Sequence, residues 1–185
     1  MNFIKLDLLF DCASLEEKLA SSNAWDLYPQ RRTLPGSPHH EMVDIWARFG
    51  DVSKGDFSIL GKEHDAVWYP CVDQLPEVKD IAFALMAAVR GERLGGILIT
   101  KMPPGGTIDQ HIDSGWHAGY YEKFYVAVKN HPGSEFCFND GCIRAEQGEA
   151  YWFRNDVLHW VNNNTDHERI AMIVCIKTDM FEEFK

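Results

Sequence analysis

Apolar residues recur along this chain with two different periods, and the change from one to the other falls near residue 94. Residues 1–7 alternate apolar and polar side chains, the pattern of a half-buried strand. Ser14-Leu15-Glu16-Glu17 has the form of a capping box and predicts a short helix running to about Ala20. From 21 to 38 the prolines Pro29, Pro35 and Pro38, with Gly36, break any regular run and predict a loop. Residues 42–49 read as a strand that carries Asp44, Trp46 and Arg48 on one face, suited either to lining a small-ligand pocket or to meeting solvent. Apolar residues at 78, 81, 82, 85, 86 and 89 form a stripe at helical spacing. Pro76 stands at the first helical position and Gly91 at the stop, which predicts a helix over 76–90 packed on a core.

Beyond residue 94 the runs shorten and alternate. Strands are expected over 97–102, 123–128, 135–138, 150–153, 157–161 and 169–177, with turn residues between them and a hairpin signal at Asp140-Gly141. Short strands at this spacing predict a mainly β fold with flanking helices, a sandwich or barrel of which the jelly roll is one closed form. The expected layout is one domain over 1–185, with residues 1–93 buttressing a β core at 94–178. No internal repeat and no low-complexity segment interrupts it.

Composition narrows the partners. With 45% hydrophobic and 12% aromatic residues the chain can bury a core, so disorder is excluded. Lys and Arg number 18 against 28 Asp and Glu, a formal charge of −10 that disfavours nucleic acid. No apolar run approaches the roughly 18 residues that span a bilayer. The N-terminal segment carries Asp7 and Asp11 and reads as a strand, not as a targeting segment. Cys12, Cys71, Cys137, Cys142 and Cys175 are odd in number and unrelated in spacing, which reads as free thiols in a cytoplasmic protein. Cys137 and Cys142 flank a predicted turn, as incidental hairpin cysteines or as half of a metal site.

Candidate chemistry concentrates at residues 108–113. His111 and Asp113 are two apart, and in an extended segment both side chains leave from one face, with Cα atoms about 6.6 Å apart. His159 falls in phase with Val157 and Val161 and so points into the same interior, where a histidine needs a polar partner or a metal. Two histidines and one carboxylate form the set that holds Fe(II) with positions left open. His117 competes for the third place. His39, His40, His64, His131 and His167 lie in polar or turn-like surroundings and read as solvated; Arg31-Arg32 reads as an exposed solubilising pair, the alternative being a reach to an anionic group. Ten residues after His159 comes Arg169, whose planar fork suits a carboxylate. The Asn-rich segment between them is expected to fold the Arg169 strand back antiparallel to the His159 strand.

Those residues sit in three segments, ILITKMPPGGTIDQHID, KFYVAV and GEAYWFRNDVLHWVNNNTDHERIAMIV, that resemble the Fe(II)/2-oxoglutarate-dependent dioxygenases, and within them the aspartyl/asparaginyl β-hydroxylase group. The shared features are a Pro-Gly before the first His, His-x-Asp, a Gly-Glu before an aromatic strand, His-x-x-Asn and a closing Arg. The resemblance implies a double-stranded β-helix (jelly-roll, cupin-like) core. It further implies Fe(II) on His111, Asp113 and His159, 2-oxoglutarate on Arg169, O2 as oxidant, and succinate and carbon dioxide as co-products. Two departures stand out: some members have glycine where this chain has Asp113, and the group tends to carry Arg-x-His where this chain has Lys123-Phe124-Tyr125. Lys123 and Tyr125 share a face and can offer the co-substrate a cation and a hydroxyl. Trp116, His117, Tyr120 and Arg48 are candidates to face a substrate, expected to be an amino acid, a peptide or a protein side chain. The alternatives are a cupin-like metal enzyme that does not use 2-oxoglutarate and a non-catalytic barrel that binds a small ligand.

Overall fold

The computed structural model describes residues 1–53 and 55–185. In chain order its elements are β1 (Phe3–Leu9), α1 (Ala13–Ala20), α2 (Gln30–Thr33), β2 (Val43–Gly50), β3 (Ala66–Trp68), α3 (Glu77–Ala88), β4 (Arg93–Met102) and β5 (Thr107–His111). There follow α4 (Trp116–Tyr120), β6 (Glu122–Lys129), β7 (Ser134–Phe138), β8 (Gly141–Ile143), β9 (Glu149–Phe153), β10 (His159–Asn163) and β11 (Arg169–Lys177), with short 3₁₀ turns between.

Two antiparallel sheets face each other. The larger has the order β1-β9-β6-β11-β4-β2-β3 and the smaller β5-β10-β7-β8. From β4 to β11 the chain steps back and forth between the sheets, apart from the β7–β8 hairpin, which defines the double-stranded β-helix with jelly-roll, cupin-like topology. The N-terminal strands extend the larger sheet at both edges, β1 beside β9 and β2–β3 beside β4.

Period-2 alternation explains how the larger sheet is buried on both faces. On β6, Phe124 and Val126 turn outward into a core shared with Leu15 and Leu19 of α1 and with Val78, Ile81 and Leu85 of α3. Tyr125 and Ala127 turn inward, toward Phe136, Phe138 and Val161 of the smaller sheet. Phe124 is fully buried; truncating such a side chain to Ala costs about 3–5 kcal/mol. The inward face is therefore fixed by the packing of the outward one.

Several local expectations give way to competing contacts. Ser14 does not cap α1; its hydroxyl donates to Glu77, and Asp11 accepts the Ala13 N–H instead. The 21–38 segment contains the short helix α2. Helix α3 ends in a Schellman motif in which Arg90, at φ 51°, takes the left-handed place. The Gly91 N–H then donates to Met86 O. A Cβ on Gly91 would meet Ile176 at 2.5 Å, so glycine serves close packing there. The β10 and β11 strands are not a hairpin: β10 lies in the smaller sheet and β11 in the larger, because the Asn-rich segment crosses between sheets. Cys137 and Cys142 are register partners on β7 and β8 and form a disulfide, which replaces both the free-thiol and the metal readings of that pair. Among the described residues, no helix is long and apolar enough to cross a membrane.

Candidate metal centre and its cavity

His111 ends β5 and His159 opens β10, and the two are register partners across the antiparallel pair. Their rings stand 4.3 Å apart at the centroids. Asp113 lies just past the end of β5 and not within the strand; its backbone N–H donates to Asn155 O, and Asn155 Nδ2 donates to Ala118 O. A loop residue tied at its amide thus supplies the carboxylate.

Both rings are oriented by their far nitrogen. The Nδ1 of His111 lies 2.7 Å from Asp109 O and that of His159 2.8 Å from Val157 O, contacts that place the proton on Nδ1. Each Nε2 lone pair is left to face Asp113, at 3.6 Å from Oδ1 for His111 and 4.0 Å from Oδ2 for His159. All three ligand atoms lie within 4.8 Å of one another. Cis ligands on an octahedral first-row metal at about 2.1 Å are about 3 Å apart, so a small contraction closes this set on one ion. Backbone carbonyls behind the ligating imidazoles are the usual device for fixing tautomer and ring angle. Burial lowers the pKa of both histidines, which keeps them neutral and able to ligate. Burial alone would raise the Asp113 pKa, but the Lys123 ammonium bonded to it outweighs that and brings it to about 2.

The centre opens on a cavity of about 230 Å³ between the sheets. That is below the roughly 300–1,000 Å³ typical of drug-sized ligands, and suits a small organic acid. Arg169, the first residue of β11, lines it at 4% exposure with its guanidinium 5.1 Å from the Tyr125 ring centroid. Among the described residues no carboxylate lies within ion-pairing distance of Arg169, so a desolvated cation faces the cavity without a counter-ion. Asn163, buried, donates from Nδ2 to both Pro103 O and His167 O at 2.8 Å, clamping the Pro103–Gly106 turn to the approach of β11. Tyr125 and Lys123 also line the cavity, and the Lys123 ammonium is bonded to Asp113 Oδ2.

His117 lines the cavity but is committed elsewhere: the Gly96 N–H donates to its Nε2 at 3.2 Å. Burial brings its pKa down to about 3. A Cβ on Gly96 would meet Phe49 at 2.6 Å and His117 Nε2 at 3.1 Å, so this seat exists only with glycine. Trp116 and Tyr120 stack on each other behind His117 and outside the cavity wall. Arg48 does not line the cavity. A register shift between Trp46 and Arg48 breaks the alternation of β2 and pairs Arg48 with Ile97 on the outer face, where it packs over Trp68 and donates to Leu94 O. Phe49 takes the inward place.

Two cavity residues come from the loop that read as solvated. Arg31 reaches Asp44 and Thr100 with Nη1 and the His39 ring with Nη2, and His39 stands edge-on to His111 at 4.9 Å. Burial and the Arg31 charge push the His39 pKa far down, so it is a neutral acceptor. Asp44 on a predicted strand face was the available signal, since a buried carboxylate requires a cation.

Fold and centre define a double-stranded β-helix with a two-histidine, one-carboxylate cluster at the mouth of an internal cavity. The family model for aspartyl/asparaginyl beta-hydroxylase matches residues 43–178. The chain belongs to that family and is a hydroxylase-type enzyme of the 2-oxoglutarate and iron class. No curated protein sequence matches it. Similar solved structures include an oxidoreductase of the 2OG-Fe(II) oxygenase family from Burkholderia pseudomallei, with TM-score 0.61 and 16% identity over 95% of this chain and 84% of that one. The viral collagen prolyl hydroxylase from Paramecium Bursaria Chlorella virus-1 has TM-score 0.53 and 10% identity over 96% of each chain. A prolyl-4-hydroxylase from Pseudomonas putida has TM-score 0.50 and 12% identity over 96% and 92%. At these identities the likeness is one of fold. The family match begins well before residue 94, so it takes in β2, β3 and α3 as well as the β core.

Proposed function

We propose that the enzyme hydroxylates an unactivated C–H bond of an amino acid or a protein side chain, Asp/Asn-like in kind, using Fe(II), 2-oxoglutarate and O2 and releasing succinate and carbon dioxide. The observation that carries this reading is the pairing, in one cavity, of the His111, Asp113 and His159 cluster with a buried, unpaired Arg169. The donor set suits iron, and a guanidinium without an acid suits the far carboxylate of a dicarboxylic acid. When bound, iron and 2-oxoglutarate supply the oxidative chemistry.

The chain's own residues do the rest. His111 and His159 present neutral Nε2 atoms because their Nδ1 protons are held by carbonyls. Arg169 and the Tyr125 hydroxyl orient the co-substrate, and Phe136, Phe153 and Val161 keep that part of the cavity dry. His117, fixed by Gly96, forms the wall toward which a substrate enters, with Trp116 behind it. The cation balance of the cavity and the family favour an amino-acid or protein substrate over nucleic acid, for which a chain of charge −10 is ill suited. The test is binding and turnover together: protein prepared without oxygen is given Fe(II) and 2-oxoglutarate, and succinate is measured on admitting O2 with a panel of amino acids and Asp- or Asn-containing peptides. Succinate that rises with one of these is expected; iron bound but no 2-oxoglutarate bound points instead to a cupin-like metal enzyme.

A further inference from the structure

Lys123 does more than line the cavity. It faces inward from β6, opposite Cys175 in the register with β11, and its ammonium is bonded to Asp113 Oδ2. The same oxygen faces His159 Nε2 at 4.0 Å, on the side where the three ligand atoms converge. One carboxylate oxygen is thus shared between an internal ammonium and the position of a metal. Both side chains are less than one-fifth exposed, at 17% and 19%, so solvent screens the competition little.

Resting on the reading above, we propose that Lys123 is a partner-switching cation. It holds Asp113 in the metal-free protein, yields that carboxylate to the metal, and then joins Arg169 as a second cation for the carboxylates of 2-oxoglutarate. Three physical points support this. With a dication on the same carboxylate, the repulsion it exerts on the ammonium, two charges against one, exceeds the attraction that the single carboxylate charge offers the ammonium, so the ammonium is the cation that leaves. Lysine is a point charge on a flexible four-carbon stem and can move, where the rigid fork of an arginine would grip Asp113 with two bonds. Around Lys123 the cavity is lined by Tyr125, Phe153, Ile173 and Cys175, which offer a displaced ammonium no acid, so an incoming carboxylate becomes its partner. Metal binding and dicarboxylate binding are thereby coupled, and the coupling acts equally in both directions.

The test uses Mn(II) as a redox-inert probe, with calorimetric affinities for Mn(II) alone and for 2-oxoglutarate added to the Mn(II)-loaded protein. Lys123→Met, and Lys123→Gln as a second neutral variant, are expected to bind Mn(II) at least about tenfold more tightly than the parent and 2-oxoglutarate at least about tenfold more weakly. Lys123→Arg keeps the charge but grips Asp113 with two bonds, and is expected to bind Mn(II) more weakly than the parent. Melting temperatures measured alongside identify a variant that has merely lost its fold, in which case the other neutral variant decides. Weaker Mn(II) binding in both neutral variants would make Lys123 a plain positioning residue for Asp113 and overturn the proposal. Unchanged 2-oxoglutarate affinity would overturn it as well. A parent that binds neither Mn(II) nor 2-oxoglutarate overturns the iron and 2-oxoglutarate reading itself.

Discussion

Replacing Arg169 with Met separates a functional arginine from a structural one, because the two roles predict opposite balances of affinity and stability. The side chain is 4% exposed and lies over Tyr125, with no acid partner among the described residues. Its removal forfeits a cation–π contact of about 0.5–2 kcal/mol. Against that, the buried unpaired charge carries a desolvation cost of several kcal/mol, which the substitution relieves. The free protein is therefore expected to be as stable as the parent or more so. In the proposed assignment the guanidinium donates two charge-assisted hydrogen bonds to 2-oxoglutarate. Truncating one member of such a buried pair costs about 2–5 kcal/mol, or about 30-fold to several thousand-fold in affinity. Calorimetry of 2-oxoglutarate into Mn(II)-loaded protein, beside urea unfolding of the free protein, reads both quantities. A loss of at least about 30-fold with Mn(II) affinity retained and stability undiminished is expected. Unchanged affinity, or a large fall in stability, would refute the reasoning.

Two further predictions concern the free protein. The buried His117 has a pKa lowered from 6.5 to about 3, so below pH 6.5 the unfolded chain takes up a proton that the folded one does not. Its contribution to stability is whole above pH 6.5 and falls by up to about 1.4 kcal/mol per pH unit toward pH 3. His117→Gln, whose amide oxygen can still accept from Gly96, should flatten the slope of urea-derived stability between pH 6.5 and 4, and an unaltered slope would remove His117 from this account. The Cys137–Cys142 disulfide closes a loop of sequence separation 5, for which chain entropy gives about 2 kcal/mol. Unfolding with and without a dithiol reductant should differ by about that much, and Cys137→Ser should match the reduced protein.

Much of the β-helix was legible because both of its devices are local. Turn residues marked off most of the strands, though not their pairing, and the phase of Val157, His159 and Val161 placed His159 inward, where it is buried at 4% exposure. Where the sequence reading failed, long-range contacts had decided the outcome. Arg31 and His39 sit in a segment without periodicity, and only packing against Asp44 and Thr100 brings them to the cavity. Arg48 followed a strict alternation until one register shift reversed it. Ser14 found a better partner in Glu77, 63 residues away, than in its own helix. The disulfide was within reach: strands that turn at Asn139-Asp140 put Phe138 opposite Gly141 and hence Cys137 opposite Cys142. Carrying the hairpin register one pair further would have joined them.

Oxygen-coupled turnover tests the account most directly. Protein reconstituted with Fe(II) in the absence of oxygen, supplied with 2-oxoglutarate and a peptide or amino-acid panel and then exposed to O2, is predicted to form succinate. Asp113→Ala, which removes one of the three ligands, should abolish it. Succinate formation that persists undiminished in Asp113→Ala, or a parent that takes up neither iron nor 2-oxoglutarate, would contradict the assignment of His111, Asp113 and His159 as an iron centre.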